Sequence, residues 1–313
     1  MGLKLITPPA IEPVSLPEIK QHLKIDSDLE DALLSDFITA AREYCESYQN
    51  RVFITQTWDL FLDDFPDSPF KIPLPPLTGQ AEITAITCEA DTGGSLSGKY
   101  ITLDDPTTAY YAWFDVTGEG SVDPALSGKT GIVVGIAVDA DADTVATAVK
   151  NAIDAVGDFG AVAASAVVTV INANNGVVTD VTNGNTGWSV APNVITQGQA
   201  PIVHIKYYDT AGAEYIFAAA NYDTDASGYR GRVALGYGKS WPTIVLRSIN
   251  GVVIRFIAGY GVLATNVPMK VRLAIKILVG HMWENREATD IKELKEVPFA
   301  VHSLLGFKRI WPL

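Results

Sequence analysis

Cysteine is scarce in this sequence, which has only Cys45 and Cys88 among 313 residues. Two cysteines cannot build a disulfide framework, and because they fall in different predicted domains we expect free thiols and a reducing compartment. Glu43 and Glu46 lie beside Cys45, and their negative charges raise the pKa of a neighbouring thiol. We therefore interpret Cys45 as a structural thiol, not a nucleophile.

Targeting signals and uninterrupted apolar runs are also lacking. The first ten residues, MGLKLITPPA, have neither the apolar stretch nor the cleavage pattern of a signal peptide, which predicts a protein made in the cytoplasm. The most apolar helical stretch, residues 266–287, carries several charged side chains that would be expensive in hydrocarbon, so we expect no membrane span. The hydrophobic content of 48% nevertheless supports well-formed cores.

Cofactor motifs fail at the positions that their chemistry needs. Lys129 and Thr130 match the end of a phosphate-binding loop, but Asp123 stands where that loop requires its first glycine. The alternating aspartates of residues 139–143 resemble a calcium loop, yet the central glycine and the final glutamate of such a loop are missing. We interpret these aspartates as the acidic start of a helix.

Metal and catalytic motifs are not recognisable either. His281 and Glu284 lie three residues apart on a predicted helix, but no other histidine has a matching spacing. We therefore predict a protein that is not an enzyme and has no metal site and no cofactor. An unrecognised hydrolase is kept as an alternative, because catalytic groups can converge from distant positions.

Charge is distributed unevenly within the net value of -13. Residues 1–77 have 6 basic and 13 acidic residues (-7), residues 78–200 have 3 and 14 (-11), and residues 201–313 have 14 and 9 (+5). One interpretation is that these are solvated faces that keep the protein soluble. The other is a polarised particle, whose acidic part repels nucleic acid while its basic part docks on an acidic partner.

Residues 266–287, NVPMKVRLAIKILVGHMWENRE, are the stretch around which the rest of the chain is organised. Their apolar residues recur at steps of three and four, which predicts an amphipathic helix of about 30 Å that tolerates Pro268 in its first turn. The apolar stripe comprises Val271, Ala274, Ile275, Leu278, Val279 and Met282. We predict a helix that forms an assembly, with ring contacts through Lys270, Arg272, Lys276, Trp283 and Arg286.

Two capping-box patterns predict helices near the N-terminus. Ser15 and Glu18 open a short helix that runs to Leu23, and Ser27 and Glu30 open a longer one over residues 28–49. The predicted buried stripe of the longer helix comprises Leu33, Phe37, Ala40, Ala41, Tyr44 and Tyr48. A strand over residues 57–62 and a proline-rich extended edge segment over residues 65–77 follow.

Residues 78–200 change in character, because their charge is mostly aspartate and Ala, Val, Thr, Gly and Asn dominate. The pattern predicts strands at 83–88, 100–103, 110–116, 132–138, 167–171 and 177–181, one helix at 143–156, and hairpin turns near Asn175 and Gly184. Strands at 201–209, 214–218 and 252–257 and a helix at 298–305 complete the chain. The sequence thus predicts an α+β protein in which residues 78–200 form an inserted α+β domain. Residues 1–77 and 201–313 form a discontinuous helical domain, built of N- and C-terminal helices with a small β segment.

Eight segments in a consistent order carry a resemblance: LITPPAIEPVSLPEIKQHLKID, AREYCE, QTWDLFLDDFP, IPLPPL, IKYYDTAG, FIAGYG, VPMKVRLAIKILVGHMWENRE and VPFAVHSLLGFKRIW. Taken together, they resemble the head-tail connector (adaptor) proteins of tailed phages and gene-transfer agents. The resemblance covers about 190 residues, 1–77 and 201–313. It departs from the family at residues 78–200, which most relatives lack and which resemble, more loosely, a small module of phage structural proteins.

The resemblance implies a non-enzymatic virion protein of the neck, made in the host cytoplasm. It implies a homo-oligomeric ring under the portal protein, matching the portal's twelvefold symmetry, that receives a tail or stopper protein. Double-stranded DNA would pass through the channel without specific binding. The alternative is a phage surface-binding module, in which the insert recognises a host or capsid ligand; an exposed aromatic cluster on the insert would favour it.

The C-terminal tail is the predicted site of docking onto the portal. It is too short to form its own core, yet it is rich in apolar and basic residues. The predicted docking residues are Phe307, Lys308, Arg309, Ile310, Trp311 and Leu313. The competing interpretation is that the tail folds back and Trp311 packs on the protein's own helices.

Overall fold

The computed structural model describes residues 1–188, 192–285, 299–307 and 309–310. The chain forms two compact units, one of residues 1–78 and 201–313 and the other of residues 79–200. The boundary expected from composition lies one residue earlier, before Thr78. Helices and strands are both present, which confirms the predicted α+β class. Within the described residues no helix is both long and apolar enough to cross a membrane.

A five-stranded antiparallel sheet lies in the first unit. Its strands, in spatial order, are β1 (Gly2–Thr7), β2 (Gln56–Leu62), β15 (Val252–Ala258), β11 (Ile202–Tyr208) and β12 (Glu214–Phe217). One face buries Leu60, Ile205, Ile254 and Phe256 in a common core, since these residues pair across neighbouring strands. The central strands are therefore fixed by apolar packing, and β1 and β12 form the two edges.

A second, smaller sheet of the first unit contains the proline-rich segment. Its strands, in spatial order, are β13 (Tyr222–Asp225), β14 (Arg232–Leu235) and β3 (Phe70–Lys71). The extended edge position predicted for residues 65–77 is confirmed, because β3 pairs on one side only. Proline lacks the N–H that a central strand needs, which explains this position.

Four α-helices in the described part of the first unit pack around one apolar core. They are α1 (Leu16–Leu23), α2 (Asp31–Gln49), α4 (Met269–Glu284) and α5 (Phe299–Gly306). The first predicted capping box is confirmed, since the Ser15 hydroxyl accepts from the Glu18 N–H and the Glu18 carboxylate accepts from the Ser15 N–H. The second box is wrong. The Ser27 hydroxyl instead accepts from the Leu29 N–H, and α2 begins at Asp31.

The buried stripe of α2 is rotated by one residue from the predicted one. The fully buried positions are Leu34, Ile38, Ala41, Arg42, Cys45 and Gln49, whereas Ala40 is exposed. The prediction gave weight to Tyr44 and Tyr48, but these rings lie at the margin of the core against His302. A tyrosine at a margin packs its ring while its hydroxyl keeps a polar partner, so it marks the edge of a stripe.

The predicted stripe of α4 is confirmed, with five of its six residues buried and Met282 half-buried. The predicted start is wrong, because residues 264–266 form a separate 3-10 turn and Pro268 is the N-cap instead of a first-turn residue. The described helix is 16 residues long, which corresponds to about 24 Å.

The second unit combines two sheets and one helix around its own core. The first sheet has, in spatial order, β10 (Asn193–Thr196), β4 (Ile83–Thr87), β9 (Val167–Asn172) and β8 (Phe159–Ala164), and the second has β5 (Tyr100–Asp104), β6 (Ala109–Val116) and β7 (Thr130–Ile136). Helix α3 (Ala142–Asp154) has Asp141 as its N-cap, and the Asp141 carboxylate accepts from the Thr144 N–H. The prediction that this acidic stretch starts a helix is confirmed. Phe114, Val134, Val149 and Val168 are buried together.

The predicted strand at 177–181 and its hairpin turns are wrong. The Gly176 N–H donates to the Gln80 carbonyl and the Gln197 amide donates to Asp180, so this segment is held by isolated hydrogen bonds. Only Thr182 forms a bridge, to Thr102. β8 and β10 were not predicted, because β8 (FGAVAA) consists largely of alanine and glycine and β10 (NVIT) has only four residues.

Candidate assembly surfaces

Glu18 joins α1 to α4 in the first unit. Its carboxylate accepts hydrogen bonds from the Ser15 N–H at 3.0 Å, the Arg272 guanidinium at 2.6 Å and the Lys276 ammonium at 3.1 Å. The Arg272 guanidinium also donates to the Pro13 carbonyl at 2.9 Å. The carboxylate that caps α1 is therefore also the anchor for two cations of α4.

Opposing effects set the pKa of Glu18. Partial burial disfavours the charged carboxylate and acts to raise the pKa. The Ser15 N–H and the cations Lys276 and Arg272 favour the charged form more strongly, and together they lower the pKa to about 2. The ion pairs with α4 therefore persist well into the acidic range.

Two of the cations of α4 that were predicted to make ring contacts are paired within the chain. The side chains of Arg272 and Lys276 pair with Glu18 and are only 12% and 22% exposed. To make ring contacts, Arg272 and Lys276 would have to break their ion pairs with Glu18 or bind a second carboxylate on the neighbouring copy. The structure thus gives Arg272 and Lys276 a role in packing α1 on α4, and ring contacts through them stay a prediction.

The other predicted residues of α4 lie in different surroundings. Lys270 is exposed, and its ammonium lies 4.9 Å from the centre of the Phe307 ring, at cation–π distance. Trp283 is half-buried and packs against the helical core. Arg286 lies outside the described residues. Among the described members of this set, Lys270 is the one whose charge is presented at the surface.

The C-terminal segment returns to the end of α2. The Ile310 N–H donates to the Gln49 carbonyl at 3.0 Å, and the Asn50 side-chain amide donates to the Ile310 carbonyl at 2.7 Å. The Gln49 side-chain amide donates to the Leu305 carbonyl at 2.6 Å. Ile310 is 5% exposed. The segment thus satisfies the Gln49 carbonyl, one of the groups that α2 itself leaves open at its C-terminal end.

Two of the predicted docking residues therefore follow the competing interpretation of a tail that folds back. Ile310 is buried, and the Arg309 guanidinium lies 4.4 Å from the centre of the Tyr48 ring. Phe307 is 80% exposed and remains available to a partner. Lys308, Trp311 and Leu313 lie outside the described residues, so docking onto another protein stays a prediction.

Large apolar side chains are exposed on and beside α4 and α5. Met269 and Leu273 lie one turn apart on α4, Phe299 is the first residue of α5, and Phe307 directly follows its last residue. Exposed methionine and aromatic side chains are typical of protein interfaces. Together with Lys270 they define what we call the α4–α5 surface: Met269, Lys270, Leu273, Phe299 and Phe307.

The motifs that resemble cofactor sites are engaged in structural contacts. The Lys129 ammonium pairs with Asp104 at 2.6 Å, and the Asp123 carboxylate accepts from the Tyr111 hydroxyl at 2.6 Å. The Asn285 side chain contacts His281 Nδ1 at 3.3 Å. In the described part of the chain no three acidic, histidine or cysteine side chains are grouped to hold a metal.

Both thiols are buried and weakly acidic. Burial is the main cause that raises the pKa of Cys45 to about 12, and the charge of Glu46 adds to it. Burial raises the pKa of Cys88 to about 12 as well. A thiolate is the reactive form, so the structure agrees with the prediction of a structural thiol at position 45.

Aromatic side chains of the second unit contribute to its core. Tyr110, Phe114, Phe159 and Trp188 are buried, and Trp113 is half-buried. The exposed large apolar residues described in this unit are Val122, Val133, Val162, Val177 and Ile195. The exposed aromatic cluster that would favour a surface-binding role is not seen among residues 79–188 and 192–200.

Comparison with protein families gives a match in the N-terminal part of the chain. Residues 13–87 match the family described as phage gp6-like head-tail connector protein. This confirms the resemblance to head-tail connectors. The matched segment contains α1, α2 and β2, and thus both Glu18 and the end of α2 on which Ile310 packs. No curated protein matches the sequence.

Two solved structures share the fold with this connector-like chain. A chain from the neck of an empty gene transfer agent (GTA) particle, computed with C6 symmetry, has a TM-score of 0.51 at 15% identity, over 100% of this chain and 97% of that one. A chain from the neck of the native GTA particle, computed with C12 symmetry, has a TM-score of 0.50 at 15% identity and the same coverage. At this identity the likeness extends to the fold alone.

Sequence reasoning missed the groups that receive the C-terminal segment. Gln49 and Asn50 end α2, and Asn50 adopts the left-handed conformation at φ 51° that closes many helices. An asparagine after a long helix was the available signal for a C-cap. Its second role, binding the Ile310 carbonyl, depends on a contact between positions 260 residues apart, which no local pattern indicates.

Proposed function

We propose that this protein is a structural head-tail connector in the neck of a tailed phage or phage-like particle. It forms a homo-oligomeric ring below the portal, joins the capsid to the tail and forms part of the DNA channel. The observation that carries this proposal is the family match of residues 13–87, which includes α1 and α2 of the helical core. The role requires no catalysis and no cofactor.

The ring is supported by the shared fold and by the apolar surface of the helices. The two similar chains come from particle necks computed with C6 and C12 symmetry, and both alignments span nearly the whole of each chain. We expect twelve copies in the ring. Ring formation buries apolar surface, and the exposed side chains of the α4–α5 surface are suited to such burial.

Docking onto the portal is assigned to the exposed part of the α4–α5 surface. Phe307 supplies an aromatic anchor, and Lys270 supplies a positive charge next to it. An acidic or aromatic pocket on the portal would complement this pair. The side of the ring away from the portal then receives the tail or stopper protein.

DNA passes through the channel without specific binding. The excess of acidic residues in segments 1–77 and 79–200 supports this, because phosphate binding is dominated by lysine and arginine. We expect negligible affinity for duplex DNA in filter binding at low salt. Tight binding that falls steeply with salt would instead indicate that the protein grips DNA.

Co-purification with the portal tests the proposal. The full-length chain is produced together with the portal protein of the same particle, with an affinity tag on the portal only. A connector is expected to co-elute at a fixed ratio and to remain bound through size-exclusion chromatography. A chain that never associates with its portal, although both are folded, would contradict the proposal.

A further inference from the structure

The five-stranded sheet of the first unit has two open edges along the described part of the chain. β1 pairs only with β2, and β12 pairs only with β11. An open edge offers unpaired N–H and C=O groups to another chain, and proteins usually protect such edges with charges or proline. β1 contains no proline and one charged residue, Lys4. This edge is therefore weakly protected.

The two open edges run in the same direction. All neighbouring strands of the sheet are antiparallel, and three strands separate β1 from β12. β1 of one copy placed beside β12 of another would therefore extend the sheet by one parallel pair. Such a contact joins two different surfaces, and repeated contacts of this kind form a ring where the rotation from one copy to the next closes, which the proposed ring requires.

We propose that copies of this chain join head to tail through this contact, with β1 of one copy added to β12 of the next and Leu5 opposite Tyr215. The occupant of each edge is a second copy of the same chain. The inference rests on the proposed ring and names the contact that builds it.

The side chains on the two strands match in this register. Leu5 pairs with Trp58 and Tyr215 pairs with Tyr207, and both pairs lie on the face that carries the apolar core. Leu5 and Tyr215 are each 40% exposed, so both have apolar surface left to bury.

On the opposite face the same register places Lys4 beside Glu214. Opposite charges on facing strand positions attract. Glu214 already accepts from Lys206 and from the Tyr208 hydroxyl, one on each carboxylate oxygen, and each oxygen can accept a further donor. Lys4 would thus join an existing polar cluster instead of being left beside an apolar group.

The backbone of β12 presents the correct groups. Tyr208 donates its N–H to the Gly251 carbonyl, and its carbonyl accepts from the Arg247 N–H, so its backbone faces away from β12. Glu214, which is opposite Tyr208, therefore directs its own N–H and C=O outward, and Ile216 does the same two residues later.

The backbone of β1 presents the complementary group. The Ile257 N–H donates to the Pro201 carbonyl, on the side of β15 away from β2. In an antiparallel sheet the backbone N–H and C=O groups of successive residues point to alternate sides of the strand. Following the pairs from Ile257, the backbone groups of Asp59 and Lys4 point toward each other, and those of Leu5 point away from β2 to the open edge. A parallel ladder sets one outward residue between two outward residues of its partner, and Leu5 between Glu214 and Ile216 fulfils this.

Charge argues against pairing of β1 with a second β1. An antiparallel pair centred on Lys4 would set Lys4 opposite Lys4 of the other copy, and facing like charges destabilise a strand pair. The other symmetric register, centred on Leu5, would set Leu5 opposite Leu5, and the trapping experiment below distinguishes it. Either contact would be symmetric, so it would stop at a dimer.

Disulfide trapping tests the register in the full-length protein. The variant with Leu5→Cys and Tyr215→Cys is expected to form a ladder of linked species on a non-reducing gel under mild oxidation. The matched control combines Lys4→Cys with Tyr215→Cys, which sets the thiols on opposite faces and should stay monomeric on the gel. Cys45 and Cys88 are buried, so they contribute no background.

The outcomes separate the contact from the ring. A linked dimer from Leu5→Cys alone would overturn the proposal in favour of symmetric β1 pairing. If the wild-type chain sediments as an oligomer but the pair does not link, the contact is wrong and the ring stands. If the wild-type chain is monomeric at every concentration and nothing links, both fail.

Charge exchange provides a second, independent measurement. Lys4→Glu is expected to weaken association of the copies roughly fivefold, measured by sedimentation, because an attraction becomes a repulsion. Adding Glu214→Lys should recover most of the loss. Equal weakening in the single and double variants would contradict the pairing of these two positions.

Discussion

At the scale of the residue, single carboxylates connect neighbouring elements of the first unit: Glu18 joins α1 to α4, and Glu46 joins α2 to β2. Glu46 accepts from Arg42 at 2.8 Å, the Phe53 N–H at 2.8 Å and the Gln56 amide at 3.1 Å. Burial raises the pKa of Glu46 in spite of these partners, whereas the partners of the more exposed Glu18 lower its pKa to about 2. The two carboxylates thus respond to acid in opposite ways.

Replacing Glu18 should make the protein less stable in a pH-dependent way. The carboxylate has a pKa near 2 in the folded protein and an ordinary value of 4.5, so its contribution is fully present above pH 4.5 and is lost as the pH falls toward 2. Because the side chain is 31% exposed, we expect Glu18→Gln to lower the free energy of unfolding by about 1–2 kcal/mol at pH 7.

Urea unfolding of both proteins between pH 7 and pH 2.5 measures this effect. The difference between wild type and Glu18→Gln should shrink as the solution becomes acidic. Asp36→Asn, at an exposed position of α2, serves as the control and should change little. A difference that is the same at every pH would show that the ion pairs are not its source.

At the scale of the element, the C-terminal segment is held by contacts with the end of α2. Gln49, Asn50 and Tyr48 receive Leu305, Arg309 and Ile310. The same few residues therefore combine a buried anchor with an exposed ring at Phe307. Stability and partner binding should depend on different positions of this segment.

A pair of substitutions separates those two roles. Ile310→Ala should lower stability by about 2–4 kcal/mol, because a buried aliphatic side chain is removed from a packed site. Phe307→Ser should change stability by less than about 0.5 kcal/mol, as expected for a surface position, but should weaken co-purification with the portal. Thermal unfolding and the tagged-portal experiment measure the two effects. A stable Ile310→Ala, or a Phe307→Ser that binds the portal normally, would contradict this division.

Elements with strong periodicity could be predicted from the sequence, and elements defined by distant contacts could not. The stripe of α4 and the capping box at Ser15 are local patterns, and both are confirmed. β1 has no strand signal of its own in the pattern, because it is an exposed edge that depends on β2 for its hydrogen bonds. The burial of Ile310 likewise depends on residues 260 positions away.

Of the candidate assembly surfaces, too, the sequence predicted the single residues but not the contacts between them. Basic residues on α4 were recognisable from the sequence, but their pairing was not, because Glu18 lies about 250 residues from Arg272 and Lys276. Lys270 and Phe307 could each be named as surface residues. Their proximity follows from the packing of α5 on α4, which only the structure provides.

At the scale of the whole molecule, the two junctions between the units lie close together in the first unit. They are Thr78, where the chain leaves the first unit, and Pro201, where it returns. The Thr78 N–H donates to the Ile257 carbonyl at 3.0 Å, and the Ile257 N–H donates to the Pro201 carbonyl at 2.9 Å. Both ends thus bind the same residue of β15. A short link between them would not require the sheet to change.

Deleting the insert should therefore leave a folded first unit. A chain in which Thr78 is joined to Pro201 by a short Gly-Ser linker should remain soluble and unfold cooperatively, because each unit has its own core. Circular dichroism on heating measures the transition. Loss of the cooperative transition would show that residues 1–78 and 201–313 are not an independent folding unit.

Electron microscopy of the purified complex with the portal tests most directly whether this chain forms a ring on a portal. Class averages viewed along the axis should show a closed ring of this chain in contact with one face of the portal, with the twelvefold symmetry expected for the portal. Monomers scattered on the grid, or a ring that never contacts the portal, would contradict the account.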